Sequence, residues 1–292
     1  MAAAMDQTAL SHPGPALLAA EASVHYGPVP MELCGQSVPP GSMRLQGDGC
    51  LLRTTTGYAL HYTKGHGVTI DRAPDADPAE ESLWLNGSIY AAIAAIHGYL
   101  PFHASAVVWQ GQVYAFSGPS GAGKSTLSAA LGQHGLPLLC DDTLVLDVVD
   151  PKRVLCLPGH KRLKLTAEAI ELTRARQQEK VDPVIEKFYA EPPGGIWREV
   201  LPLAELLFLH EGDAVAFTPI TGAERIGRIN DDHYTADLFA AARGEDLSER
   251  FARIARIASE VSMHLLVRPM DGTRFAETTK QIAAWIKGDN QP

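Results

Sequence analysis

Nine consecutive residues carry the strongest chemical signal in this chain. Gly118, Pro119, Ser120, Gly121, Ala122, Gly123, Lys124, Ser125 and Thr126 read GPSGAGKST, which satisfies G-x-x-x-x-G-K-[ST] at every fixed position. Glycines at those spacings let a backbone curl until successive N–H groups point inward, the arrangement that cradles phosphate oxygens. Lys124 supplies a point charge for the β- and γ-phosphates, and the Ser125 hydroxyl is placed to take one Mg²⁺ position. A helix opening at the end of the loop would add its positive N-terminus to the same anion. ATP and Mg²⁺ are the cofactors this pattern calls for.

The elements needed to position such a loop are present. Val113–Ser117 is a strand run directly before it, and Ser125–Gln133 is a helical run directly after it, closed by Gly135. Strand, loop and helix in that order set the match apart from a glycine-rich turn with a stray lysine. Upstream, residues 102–109 form another β run, joined to the loop strand by Gln110-Gly111-Gln112, so an antiparallel hairpin feeding the loop is expected. Downstream, Leu136–Cys140 is an apolar run ending in Asp141-Asp142, and an apolar strand ending in Asp is what a Mg²⁺-positioning site requires. Two adjacent aspartates on extended chain point in opposite directions, so they should not share one role.

Composition sets outer bounds. The chain has 292 residues, 46% hydrophobic and 20% charged, as expected of an ordinary globular protein with one large or two modest domains. A net charge of -9 argues against non-specific binding to nucleic acid or an anionic membrane. The four cysteines are scattered without a CxxC pair, which reads as reduced thiols in the cytoplasm. The eleven histidines form no HxH or HxxxH pair that would suggest zinc. Residues 82–123 contain no Asp, Glu, Lys or Arg, yet Gly87, Gly98, Pro101 and Gly111 cut them into pieces far short of the ~20 residues that span a bilayer.

Along the chain, residues 1–21 read as a flexible N-terminal tail. Residues 22–81 read as a small β subdomain, with a hairpin across Gly57 and an acidic, proline-containing linker at 71–81. Residues 88–97 are apolar on nearly all sides and read as a buried helix closed by Gly98. In residues 162–165, Leu163 and Leu165 should face one side of a strand and Arg162 and Lys164 the other. Residues 166–195 open as a helix capped by Thr166 and then, with Pro183, Pro192, Pro193 and Gly194-Gly195, look loop-like, as a mobile active-site flap would. Residues 203–210 and 214–220 read as a hairpin. Leu247, Phe251, Ile254, Ala258 and Val261 make a helical apolar stripe. Arg250, Arg253 and Arg256 form a basic row beside it, either a solvated face or a docking face for an acidic peptide. A strand at 264–268 and a helix reaching Trp285 close the chain.

The stretch 102–147 resembles the HPr kinase/phosphorylase family and the HPr-kinase-related serine kinases, whose fold is similar to that of phosphoenolpyruvate carboxykinase. His103-Ala104-Ser105, the GPSGAGKS loop and Leu139-Cys140-Asp141-Asp142 carry the resemblance, and residues 158–165 (PGHKRLKL) look like the P-x-L-K-L stretch of kinases in lasso-peptide gene clusters. The resemblance implies an α/β fold, an HPr-kinase-like P-loop kinase domain over 82–292. It implies ATP-dependent phosphorylation of a serine in a peptide or small protein, as those relatives phosphorylate a precursor peptide. On that basis Asp141 is the base and Asp142 a Mg²⁺ ligand with Ser125, with the reverse order and a turn-capping role left open. His103 would contact phosphate or the aspartates, or be a core histidine. Arg162, and less strongly Arg198, would stabilise transferred charge, or lie on the surface. The E-x-R-G-x-G signature of true HPr kinases is missing, so HPr itself and the reverse phosphorylase reaction are not carried over. A kinase of free serine and an ATP-binding regulatory module remain the rival readings, and a homo-oligomer stays open.

Overall fold

Burial alternates along Tyr58–Thr63: Tyr58, Leu60 and Tyr62 are buried while Ala59, His61 and Thr63 are half-exposed. A strand with that period covers a core on one face only. The computed structural model of the chain describes residues 11–150, 152–181, 186–230 and 247–289, and it is a mixed α/β structure with several sheets. Strands β1 (Val24–Tyr26), β2 (Glu32–Leu33) and β3 (Gln36–Ser37) come first, followed by β4 (Ser42–Gln46), β5 (Gly49–Arg53), β6 (Tyr58–Thr63) and β7 (Gly67–Arg72). Five of them form a sheet in the order β1-β7-β6-β5-β4, and β5 and β6 are the hairpin expected across Gly57.

Helix α1 (Gly14–Glu21) corrects the expectation of a flexible tail to residue 21, while residues 1–10 lie outside the described residues. Leu18 is fully buried, and Glu21 accepts hydrogen bonds from Tyr62 Oη at 2.8 Å and the Gly65 amide at 2.9 Å. The first sheet packs on α1 and α3 (Tyr90–Ile96) through one apolar cluster that includes Leu18, Leu60, Ile70 and Ile93 and continues to Val145 and Leu157. Helix α2 (Pro78–Trp84) is capped by Asp77, which accepts from the Ala79 amide at 2.9 Å. A π-helical turn, Leu85–Ile89, joins α2 to α3.

The larger sheet has nine strands among the described residues: β8 (Leu100–Phe102), β9 (Ala104–Trp109), β10 (Gln112–Ser117), β11 (Leu138–Cys140), β12 (Leu144–Asp147), β13 (Leu155–Leu157), β17 (Leu201–Glu211), β18 (Ala216–Pro219) and β19 (Ser262–Arg268). Its main path runs β11-β9-β10-β17-β13-β12-β8. The hairpin expected between β17 and β18 is not formed. Instead β19 pairs parallel to β17 and takes β18 antiparallel on its other edge. The β17 run is apolar on both faces (Leu206, Leu207, Phe208 and Leu209 are all buried), as suits a central strand covered on two sides. One face packs Phe116, Leu207 and Leu266 against helix α4 (Lys124–Leu131) and α8 (Phe275–Lys287). The other packs Leu206 and Phe208 against Ile254 and Ile257 of α7 (Leu247–Glu260), α6 being Ala223–Asn230.

A third sheet corrects the loop-like reading of residues 166–195. Strand β14 (Leu163–Leu165) leads to α5 (Ala167–Thr173), which Thr166 caps as expected, and then to β15 (Arg176–Lys180) and β16 (Phe188–Glu191) in the order β14-β16-β15. Residues 182–185 lie outside the described residues. The basic row on α7 also changes meaning. Arg253 donates to the Gly98 carbonyl and Arg256 to the Asp150 carbonyl, so two of the three guanidiniums tie the helix to its neighbours. In the apolar stripe, Leu247 and Phe251 are 84% and 57% exposed, whereas Ile254 and Val261 are buried. No helix among the described residues is long and apolar enough to cross a membrane.

Candidate active site

Three neighbouring strands gather the site. β9 pairs antiparallel with β10 so that Ala104 faces Ser117, which sets His103 beside the start of the glycine-rich loop. β11 pairs antiparallel with β9, placing Cys140 opposite Ala106 and bringing Asp141-Asp142 to the same edge. The loop then passes through Gly121 (φ 86°) and Gly123 (φ 74°), left-handed positions that suit glycine, into α4. Lys124 is buried and donates to the carbonyls of Gly118 at 2.7 Å and Pro119 at 3.2 Å. Arg268, buried at the end of β19, donates to the Ala122 carbonyl at 2.6 Å and props the loop from behind. Burial pushes the Arg268 pKa down, with Glu211 opposing.

The two aspartates do point apart. Asp141 is buried in the strand layer and accepts a hydrogen bond from Ser105 Oγ at 2.5 Å. Asp142 has φ 67°, and the Thr143 amide donates to the Asp141 carbonyl at 2.8 Å across it. That three-residue turn is rare for a side-chain-bearing residue, and it swings the Asp142 carboxylate out into the cleft. There Asp142 is held by Lys161 on one oxygen and faces His103 Nδ1 at 3.3 Å with the other. Burial raises its pKa, but the charge and hydrogen bond of Lys161, with His103 and Lys164, outweigh burial and hold it below the usual carboxylate value. Of the two expected roles, base for Asp141 and Mg²⁺ ligand for Asp142, the geometry bears only on placement: the Asp141 carboxylate is turned inward onto Ser105, and Asp142 is the member of the pair that lines the cleft.

Lys161 reaches Asp142 because Gly159 lets its segment lie on β11. A Cβ at Gly159 would fall 2.6 Å from Cys140 Cβ and 2.7 Å from Cys140 Cα, and the Gly159 amide donates to the Leu139 carbonyl at 2.9 Å. Arg162 goes elsewhere. Its guanidinium lies 3.8 Å from the Tyr189 ring centre and donates to Glu179 at 2.6 Å and Gln178 at 2.5 Å, on the β14-β16-β15 sheet. The alternation expected in β14 puts Lys164 at the cleft, and Lys187 reaches it from just before β16. Arg198 is exposed and does not line the cleft. Lys161 was not singled out by its sequence pattern because it lies just before the strand; its pairing depends on the return path through Gly159.

The cleft has a volume of about 290 Å³, near the lower end for a small-molecule site. Ser120, Gly121, Gly123, Lys124, Ser125 and Thr126 form its floor. Asp142 and His103 face that floor, and Lys164 and Lys187 stand at the rim. Three lysines line the cleft at the N-terminus of α4, a concentration of positive charge suited to an anion in a chain of net charge -9. The donor set also fits Mg²⁺: the Ser125 hydroxyl and the Asp142 carboxylate are hard oxygen ligands that line one cavity.

Fold and site together give a mixed α/β protein with a glycine-rich loop between a strand and a helix and a carboxylate lining the same cleft. No protein-family model and no curated protein matches the chain. Among solved structures it is similar to the HPr(Ser) kinase/phosphatase from Coxiella burnetii, at 12% identity and a TM-score of 0.33, over 65% of this chain and 99% of that one. An overlay that loose pairs no individual residues.

Proposed function

We propose that the protein is an ATP-dependent kinase that transfers the γ-phosphate to a serine hydroxyl of a peptide or small protein. One observation carries this reading: Asp142 and His103 face Lys124 and Ser125 across a single lysine-lined cleft. Lys124 and the loop amides bind the phosphates, and Lys164 and Lys187 neutralise charge at the rim. Ser125 and Asp142 would hold Mg²⁺, which when bound neutralises charge developing on the transferred group. Asp142 accepts the proton of the attacking hydroxyl. His103 and Lys161 fix the orientation of that carboxylate. Its depressed pKa keeps it ionised at neutral pH, and a weak base suffices where the phosphoryl group passes through a loose transition state. By the sequence resemblance, a precursor peptide of a lasso-peptide cluster is a natural first acceptor to try.

A single-turnover assay with γ-labelled ATP, Mg²⁺ and a serine-ending peptide tests the proposal. The expected result is label on the peptide. Label on free serine instead makes it a metabolite kinase. ATP binding with no transfer to peptide or free serine makes it a regulatory module.

A further inference from the structure

His160, the residue before Lys161, lies with its ring stacked on that of Tyr90, the centres 4.6 Å and the planes 9° apart. Tyr90 opens α3 directly after the π-helical turn, and Gly87 inside that turn meets Lys161 itself: a Cβ there would sit 3.6 Å from both Cε and Nζ of the lysine. π-helical turns are uncommon and are found frequently at functional sites. Here one stretch of helix seats two consecutive residues, and the second of them holds the Asp142 carboxylate. Gly159, one residue earlier, presses on Cys140 of β11, so the 158–161 segment is pinned from two sides. A small pocket of about 10 Å³ lies between the turn and the carboxylate, lined by Gly87, Ser88, Thr143 and Lys161 and shared with the nucleotide cleft through Asp142 and His103. That is room for about one water-sized group, so little slack separates the seat from the site.

The seat has a firm footing. Ile89 of the turn and Ile93 of α3 are fully buried and pack with Leu60 and Ile70 in the apolar cluster of the first sheet. Tyr58 Oη, also from that sheet, donates to the Asp77 carbonyl at 2.8 Å just before α2. We infer that this platform positions the Lys161–Asp142 pair, that His160 is a positioning residue acting through the stack of its ring, and that the first sheet is the support on which the geometry of the site depends. The inference rests on the kinase reading for the rate it would change. His160 does not line the cleft, so its nitrogens are not offered to the nucleotide. Its ring sets where the next residue starts, and a misplacement of about 1 Å in a charged partner is enough to cost a large part of a transfer rate.

His160 is exposed apart from the stack, so it can be changed without disturbing the core. The test uses the full-length protein, ATP-Mg²⁺ and the serine-ending peptide in single turnover. His160→Ala should lower the transfer rate about fivefold, the weight of a lost aromatic stack, with ATP Kd by calorimetry within about twofold of the parent. Its melting temperature should stay within about 2 °C of the parent's, as for other exposed positions. His160→Phe keeps the ring and should retain at least about half the parental rate. Added to Lys161→Met, His160→Ala should cost less than about a further twofold, because the pair it positions is already gone. A second readout needs no transfer: acetylation of lysines followed by mass spectrometry. Lys161, with 9% of its side chain exposed, should acetylate about threefold or more faster in His160→Ala and at the parental rate in His160→Phe, with the exposed Lys280 as reference. If His160→Phe loses as much rate as His160→Ala, the histidine acts through its nitrogens, and the seat is overturned while the kinase reading stands. Parental transfer and parental Lys161 labelling in His160→Ala would overturn it too. A parent that transfers phosphate to no acceptor overturns the kinase reading alone, and the labelling then decides the seat.

Discussion

Lys161 pairs with the carboxylate of Asp142, nineteen residues earlier in the chain, at the partition between the nucleotide cleft and the small pocket. Burial is the largest influence on Asp142 and pushes its pKa up, while the charge and hydrogen bond of Lys161, with His103 and Lys164, together hold it below the ordinary value. A depressed carboxylate contributes stability above its ordinary pKa and loses it as pH falls through the folded value. Lys161→Met removes the largest of the lowering influences. The acid limb of the kcat/KM profile should move to higher pH, and the rate at pH 7 should fall on the order of tenfold or more. A pH–rate profile of the variant that overlays the parent's would show that Lys161 does not set the state of Asp142.

Lys124 folds back onto the Gly118 and Pro119 carbonyls, so it both closes the loop and carries its charge. Lys124→Ala should cut transfer by on the order of 100-fold or more and weaken ATP binding in parallel. Circular dichroism should show the fold retained, since the sheet and α4 keep their apolar contacts through Leu127 and Leu131. Transfer at the parental rate would place the phosphate site elsewhere.

Arg268 is a positioning residue. It holds the Ala122 carbonyl from behind, and a Cβ on Gly123 would meet its Nη2 at 2.7 Å. Arg268→Met leaves that carbonyl without its donor and loosens the loop, at a cost of about 1–3 kcal/mol for the unsatisfied group. ATP Kd should rise about tenfold, and the melting temperature should fall by a few degrees, given about 2–4 °C per kcal/mol in a chain of this size. Parental ATP affinity with a lowered melting temperature would make Arg268 structural only.

How much of this was legible in the chain follows from how far apart the partners are. The loop, its strand and its helix are contiguous, so the glycine spacing and the flanking apolar runs were enough to find them. The β9–β10 hairpin was legible through Gln110-Gly111, both at positive φ (47° and 72°). Opposite directions for Asp141 and Asp142 were expected from extended geometry, but β11 ends at Cys140 and Asp142 is left-handed (φ 67°), so a turn and not a strand separates the two carboxylates. Which of them lines the cleft depends on that turn and on Ser105 taking Asp141, contacts between β11 and β9. Residues 203–220 looked like a hairpin because an antiparallel return is the shortest connection, yet β19, some forty residues later in the chain, takes the place beside β17. The charged residues of β15 looked like a loop because its strand is exposed along nearly all its length and is held by pairing with β16. Arg162 and Lys161 were indistinguishable by composition; Tyr189 and Glu179 claim the one, and the close approach at Gly159 delivers the other.

Gly159 gives that last point a direct test. Gly159→Ala places a methyl within 3.0 Å of Cys140 Cβ, Cys140 Cα and the Leu139 carbonyl, all on a buried strand that cannot yield easily. The segment must lift, at about 1–3 kcal/mol of overpacking. The fall in transfer should exceed what the loss of stability explains, because Lys161 leaves Asp142 with it. In a double variant with Lys161→Met, Gly159→Ala should add little further loss of rate. Full additivity of the two losses would mean that Gly159 acts on the site by another route.

The two aspartates separate the mechanism from its mirror image. Asp142→Asn keeps size and shape but removes the charge that faces Lys124, Ser125 and Lys161. Transfer should fall by about 10²–10⁴, the usual weight of a general base. The Mg²⁺ concentration needed for half-maximal rate should rise, since an amide is a poorer ligand than a carboxylate for a hard cation. Asp141→Asn instead replaces the charged acceptor of the Ser105 hydroxyl with a neutral one inside the sheet. That hydrogen bond is charge-assisted, and its weakening should lower thermal stability by about 1 kcal/mol with a transfer loss under about tenfold. Calorimetric ATP-Mg²⁺ binding, thermal melts and single-turnover rates on a serine peptide read all of these effects together. If Asp141→Asn instead abolishes transfer at unchanged ATP affinity while Asp142→Asn affects only Mg²⁺ dependence, the base is the buried carboxylate, and Asp142 is a metal ligand alone.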